Sequence, residues 1–224
     1  QDDVRRINLL RQHLQDIQEQ LSEEGTLLQA ETELLENRAK ADEQNRLYDR
    51  IAREVEPQLI KVDELLFRIE KEPENTKALL SKVCVIGSYI KRRGNLLLLN
   101  EENKEINATE LEYCIRESLD NLRLGGAYTM LSSNCGGKLS VECIVAAYDF
   151  CEALIERLLD DMTAMMVNLT CAGGKIKMNI QMGCTEEIAQ QVLSDVTLKF
   201  GTFTYDIMDE DVVINLKIEG GADR

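Results

Sequence analysis

The chain has no tryptophan, only two prolines and one histidine, and aromatic residues make up 4% of its 224 positions. A single histidine, His13, excludes any mechanism that needs two imidazoles or a histidine paired with a partner deep in a folded core. Basic residues are also scarce, 26 against 41 acidic, for a formal net charge of -15. A broad nucleic-acid surface is therefore excluded, because it needs clustered Lys and Arg to displace counterions from phosphates. No run approaches the ~18 apolar residues of a membrane span, and the longest leucine run is Leu96 to Leu99. What remains is 44% hydrophobic and 30% charged, enough to build a core and keep it in solution.

Seven cysteines are present, Cys84, Cys114, Cys135, Cys143, Cys151, Cys171 and Cys184, and no two form a C-x-x-C pair. An odd number of thiols in a long chain, mostly inside apolar runs such as V-E-C-I-V-A-A, predicts reduced and buried side chains. The expected compartment is the cytosol. The sequence opens on Gln1, so it is expected to be the cytosolic part of a longer protein, with any membrane contact made by an upstream segment.

Residues 1–45 have one glycine and no proline, with Val4, Ile7, Leu10, Leu14, Ile17, Leu21 and Leu28 at spacings of three, four and seven. This is a heptad seam, and it predicts a dimeric coiled coil with a change of register near Gly25. From Asn45 the stripe continues through Leu47, Ile51, Val55, Leu59, Val62, Leu66 and Ile69, with Pro57 placed to kink or break the helix. E-K-E-P-E-N-T (70–76) reads as a turn in which Asn75 or Thr76 caps the next helix. Leu80, Val83, Gly87, Ile90, Gly94 and Leu97 carry that helix to about Asn100. Two helices joined by a short turn form an antiparallel hairpin, and two hairpins are expected to pair into a four-helix bundle.

Beyond Asn100 the texture changes. Asn107 opens a helix that Gly125 and Gly126 stop, a strand covers 127–132, and a long apolar helix follows at 140–161. Alternating strands at 165–171 and 175–182 flank Gly173-Gly174, a helix spans 186–195, and a last hairpin pairs 197–205 with 212–218. The fold class predicted is α+β: an N-terminal coiled coil, a dimeric two-helix hairpin, then an α/β sandwich with helices on one face.

That order resembles the cytoplasmic region of bacterial sensor histidine kinases, and local motifs extend the likeness. R-L-Y-D-R-I-A-R-E-V (46–55) resembles the segment in which a phosphoacceptor His precedes an Asp: Tyr48 stands at the His position and Asp49 at its acidic neighbour. Y-D-F-C-E-A-L-I-E-R-L-L (148–159) resembles the so-called N-box helix, with Glu152 matching the Glu near the γ-phosphate and Glu156 replacing the magnesium-binding Asn. The resemblance implies three domains: a coiled-coil signalling helix at 1–45, a dimerisation hairpin at 46–103, and an ATPase-like domain of the GHKL type at 104–224.

The departures from that pattern bear on activity. A phenol with a pKa near 10 is a poor substitute for imidazole as phosphoacceptor. I-Q-M-G-C-T-E-E (180–187) holds Gly183 where the family has its first glycine box, but lacks the Asp, and no room is left for a lid or a second glycine box. The glycines fall instead in pairs at turns. No catalytic residue is assigned, and no metal ligand set is expected. Glu152 and Glu156 are the candidates for any nucleotide site, with an exposed pair of carboxylates on a solvated helix face as the competing reading. Lys91-Arg92-Arg93 is the densest basic spot, expected to pair within a dimer with Glu54, Glu56 or Asp63.

The function expected is a dimeric two-component-type signalling protein. It would be a histidine pseudokinase that relays signals by conformational coupling or by binding a response regulator or an active kinase, with no cofactor. Two alternatives stay open: an atypical active histidine kinase that still binds Mg-ATP, and a non-enzymatic, anti-sigma-like interaction protein.

Overall fold

The computed structural model describes residues 2–208 and 211–219, and within them the side chains of 2–17, 19, 102, 186, 188, 189, 191 and 195 lie outside the description. The early part of the seam, Val4 to Ile17 with His13, is among these. The chain divides into two units, Gln1–Ala52 and Arg53–Arg224.

The first unit is one helix, α1 (Asp2–Glu54), whose last two residues belong to the second unit. It runs unbroken through Gly25, where a Cβ would meet nothing. Leu21, Leu27, Leu28, Leu34 and Leu35 are all well exposed.

In the second unit, α1 ends one residue before Val55, and α2 (Glu56–Lys71) begins with Pro57 in its first turn. A proline has no N–H and disfavours helix in the residue before it, so the chain bends there. Val55 is buried at that bend. After α2, a turn at Pro73–Asn75 leads into α3 (Thr76–Glu102), which packs back against it. Leu65, Leu79 and Ile86 form the apolar contact between the two. The expected cap at Asn75 or Thr76 is not made by either side chain: Asn75 Nδ2 donates to Glu72, and Thr76 Oγ1 donates to the Pro73 carbonyl. Both groups turn back into the preceding turn, which offers nearer partners than the start of the helix.

The remainder is α+β. In order come β1 (Glu105–Asn107), α4 (Thr109–Leu124), β2 (Tyr128–Cys135), β3 (Lys138–Ser140), α5 (Val141–Leu158), β4 (Ala164–Ala172), β5 (Lys175–Gly183), α6 (Glu186–Asp195), β6 (Thr202–Met208) and β7 (Asp211–Glu219). Five strands form one sheet in the order β2-β4-β5-β7-β6; β2 and β4 are parallel and the other pairs antiparallel. Strands β1 and β3 make a separate small ribbon. This ribbon was not legible in the sequence, because three-residue strands carry almost no periodicity. The first large strand continues to Cys135 rather than stopping at 132, and β6 starts at Thr202, after Gly201, rather than at 197.

Alternation sorts the sheet into two faces. Met165, Val167, Leu169 and Cys171 on β4, Ile176 to Met182 on β5, and Val212 to Ile218 on β7 turn every second side chain into the core beneath the helices. The opposite face is polar, with Asn179 Nδ2 donating to Asn215 Oδ1 at 2.9 Å. Tyr89 on α3 stacks at a tilt on Tyr148 of α5, centroids 5.4 Å apart, so α3 joins the core of the sandwich.

Candidate functional site

Helix α5 carries the candidate residues. Ser140 caps it, its Oγ accepting from the Cys143 N–H at 3.3 Å. Val141, Ile144, Tyr148, Cys151, Leu154, Ile155 and Leu158 recur at helical spacing and are buried. Glu152 lies four residues after Tyr148 and three before Ile155, inside that stripe, and is only 2% exposed.

The Ser118 hydroxyl of α4 donates to Glu152 Oε1 and also shares a hydrogen bond of 3.2 Å with the Tyr148 hydroxyl. Glu152 Oε2 has no hydrogen-bond partner among the described residues. Burial raises the carboxyl pKa to about 8, opposed by the Ser118 hydrogen bond and reinforced by the nearby Glu156. Near neutral pH the group is mostly a neutral acid. Burial also pushes the Tyr148 hydroxyl above its ordinary range.

Glu156, one turn further, is half-buried and faces α2: Gln58 Nε2 donates to its Oε1 at 3.0 Å, and Lys61 donates to its carbonyl at 3.2 Å. The solvated-face reading of Glu152 and Glu156 is therefore corrected. One carboxyl is inside the core and the other fastens the hairpin to the sandwich. A cavity of about 400 Å³ lies against this side of α5, lined by Gln58, Lys61, Glu152, Glu156, Arg157 and Lys199 among others.

A second polar cluster fastens α3 to the same helix. Arg93, 4% exposed, places Nε 3.0 Å from Asp149 Oδ1 and Nη2 2.8 Å from Glu54 Oε2. The Tyr89 hydroxyl donates to Asp149 Oδ1 at 3.0 Å. Burial raises the Asp149 pKa, and Arg93 works against that rise. Lys91 and Arg92 both bond Glu117 of α4; burial there disfavours the carboxylate, but the two cations outweigh it and hold the pKa below the usual range. Lys82 pairs with Asp160. The basic triplet thus joins hairpin to sandwich within one chain. Of the acidic partners expected across a dimer, Glu54 takes Arg93, and it does so in the same chain.

Tyr48 and Asp49 belong to the first unit, on α1, and both are exposed. Of the expected site residues the fold brings Glu152 and Glu156 to one helix. Arg93, Asp149, Tyr89, Ser118, Gln58 and Lys61 join them without having been anticipated. Arg93 was detectable: four residues after Tyr89 and three before Leu96, it sits in the apolar stripe of its helix. The partners Ser118, Gln58 and Lys61 had no such mark.

Both candidate carboxyls for a nucleotide site are engaged by other parts of the chain. Magnesium in a nucleotide site takes oxygen ligands from the phosphates, water and one or two side chains; here Glu152 is buried and bonded to Ser118 with its pKa raised to about 8, and Glu156 is held by Gln58 and Lys61 of α2. Among the described residues no group of three or more His, Cys, Asp or Glu is arranged to hold a metal ion. Gly183, the match to a glycine box, serves packing: a Cβ there would lie 2.5 Å from Thr163 Oγ1, and its carbonyl accepts from both the N–H and the hydroxyl of Thr163. Lys61, Arg157 and Lys199 supply positive charge to the cavity, and no glycine is among the described residues that line it.

No family model matches the chain, and no curated protein matches it. Solved histidine kinase domains are similar to it in structure. The histidine kinase AdeS of Acinetobacter baumannii aligns at 12% identity over 75% of this chain and 98% of its own, with a TM-score of 0.40. The histidine kinase domain of the blue-light activated EL346 protein of Erythrobacter litoralis aligns at 12% identity over 76% and 94%, with a TM-score of 0.42. A bacterial phosphotransferase aligns at 11% identity over 76% and 93%, with a TM-score of 0.40. No described helix is long and apolar enough to cross a membrane.

Proposed function

We propose that this protein is a histidine pseudokinase of two-component type, a dimer that passes conformational change from its N-terminal helix through the hairpin to the sandwich without phosphoryl chemistry. The observation that carries this reading is the state of the two N-box carboxyls. Glu152 is buried and bonded to Ser118, with its pKa raised to about 8 by that burial, and Glu156 is tied to Gln58 and Lys61 of the hairpin. Groups that the family resemblance would give to nucleotide and metal here hold one part of the chain to another. The relay runs through those contacts and through Arg93, which joins Glu54 at the bend before α2 to Asp149 on α5.

In this reading the working divisions are a coiled coil at 1–45, a dimerisation hairpin at 46–103 and the degenerate ATPase-like domain at 104–224. Dimerisation is supported by apolar surface that one chain leaves uncovered: Leu21, Leu28, Leu34 and Leu35 on α1, and Leu59, Leu66, Phe67 and Leu80 on the hairpin. The partner proposed is a response regulator or an active kinase, and the site of action is the cytosol.

A second reading, an atypical kinase that still binds Mg-ATP, draws on the cavity of about 400 Å³ and its Lys61, Arg157 and Lys199. Calorimetric titration with ATP in millimolar magnesium, run beside Glu152→Ala, separates the two. The pseudokinase reading expects no saturable heat up to about 1 mM, a binding free energy of only ~4 kcal/mol. Saturable binding that is lost in the variant would overturn it.

A further inference from the structure

Cys135 closes β2, Cys171 lies near the end of β4, and the parallel register sets the two directly opposite each other. Their Sγ atoms are 3.0 Å apart. Neighbouring strands run about 4.8 Å apart, inside the ~4.4–6.8 Å range of Cα separations that a disulfide spans. Approach to the S–S length of ~2.0 Å asks for about 1 Å of movement. The chain after Cys135 is already held to the same strand, since the Gly136 N–H donates to the Cys171 carbonyl at 3.1 Å. Gly137 follows with φ of 82°, a left-handed conformation that lets the turn adjust beyond the pair. The two thiols differ in access: Cys171 is buried and Cys135 is partly open to solvent.

We propose that Cys135 and Cys171 are a redox modification site, at which a hydroperoxide drives formation of a reversible disulfide that staples β2 to β4. The Cys135 thiolate attacks one peroxide oxygen; an S–O bond forms, the O–O bond breaks, and the departing oxide takes up a proton. Cys171 then attacks the resulting sulfenic sulfur. The S–S bond forms, the S–O bond breaks, and the hydroxyl leaves as water with the proton from Cys171. Two thiols lose two electrons, and one peroxide is reduced to water and an alcohol or to two waters. A small dithiol reverses the step by exchange. The loop closed by the bond contains β3 and α5, so the stapled form holds the helix that carries Asp149, Glu152 and Glu156. Burial lifts both thiols above their ordinary range, which keeps the thiolate fraction low and the reaction slow at neutral pH.

The test is peptide mass mapping of the whole chain after treatment with hydrogen peroxide and alkylation of the remaining thiols, with no reductant present. The expected product joins the peptides of Cys135 and Cys171, lighter by two hydrogens, and dithiothreitol returns both thiols. While the thiol stays mostly protonated, the rate of formation rises about tenfold per pH unit. Cys84→Ser leaves the linkage unchanged, whereas Cys135→Ser and Cys171→Ser each abolish it. Amide exchange in 136–170 slows in the oxidised wild-type chain. The proposal is overturned if Cys135 runs on to sulfinic acid, or links to another cysteine, while the 135–171 product stays absent. That result is read on the wild-type chain, so a serine variant that fails to fold does not obscure it.

Discussion

A carboxyl group sealed in an apolar core keeps its proton far above the pH at which an unfolded chain gives it up. Glu152, with its pKa raised to about 8 by burial, binds a proton in the folded state that the unfolded state releases near 4.5. Its contribution to stability is full below about pH 4.5 and is lost as pH rises toward 8. Urea denaturation of wild type and Glu152→Gln at pH 5 and pH 8 checks this. The variant should gain on the wild type as pH rises, because the amide has no proton to lose. A difference between the two that is the same at both pH values would mean that Glu152 is already ionised in the core.

Single-residue effects of a different kind arise at Gly201, where the chain enters β6. Its φ is 98°, and a Cβ there would lie 2.1 Å from the Lys217 carbonyl oxygen. Gly201→Ala is expected to cost about 1–3 kcal/mol, read as a lower denaturation midpoint. The pairs Gly125-Gly126, Gly136-Gly137 and Gly173-Gly174 fall between elements, as their spacing implies, and Gly220-Gly221 lies outside the described residues.

Among the elements, α3 does the most to join the two parts of the second unit, and Arg93 is its most enclosed charge. Removing one partner of a buried pair leaves the other charge without compensation, at about 3–5 kcal/mol. Arg93→Met, which keeps much of the stem but strands Asp149, is expected near the lower end of that range because Asp149 retains the Tyr89 hydroxyl. Hydrogen exchange should report the loss at the α3–α5 contact and around the bend at Val55. Periodicity in the sequence marked α2 to α6 and the large strands with small boundary errors, because those elements bury a single face. It did not mark the β1–β3 ribbon, and it set the start of β6 too early, since loop residues 197–201 carry enough apolar character to imitate a strand.

For the whole molecule, uncovered leucines along α1 and the hairpin decide the expected state in solution. Light scattering at tens of micromolar should give about twice 25.4 kDa, and Leu66→Glu with Phe67→Glu should weaken or abolish the association. A wild-type chain that stays monomeric under those conditions would remove the dimeric relay from the proposed function. The same experiment repeated on Leu21→Asn with Leu28→Asn tests the share contributed by the first unit.

Local chemistry in the sequence determined the long polar helix with its heptad spacing, the break near Pro57, the hairpin, the α+β order of the second half and the limit of a single imidazole. Each follows from spacing, backbone restriction or composition, which act over a few residues. Only the tertiary structure decided that Glu152 is a neutral acid in the core and that Arg93 bridges Glu54 and Asp149. It alone brought Cys135 and Cys171 into contact, and it alone made Glu156 a fastening for the hairpin. Those facts depend on which residues far apart in the chain become neighbours. A carboxyl's ionisation and a thiol's partner are set by the dielectric and the groups around them, and no local pattern specifies either.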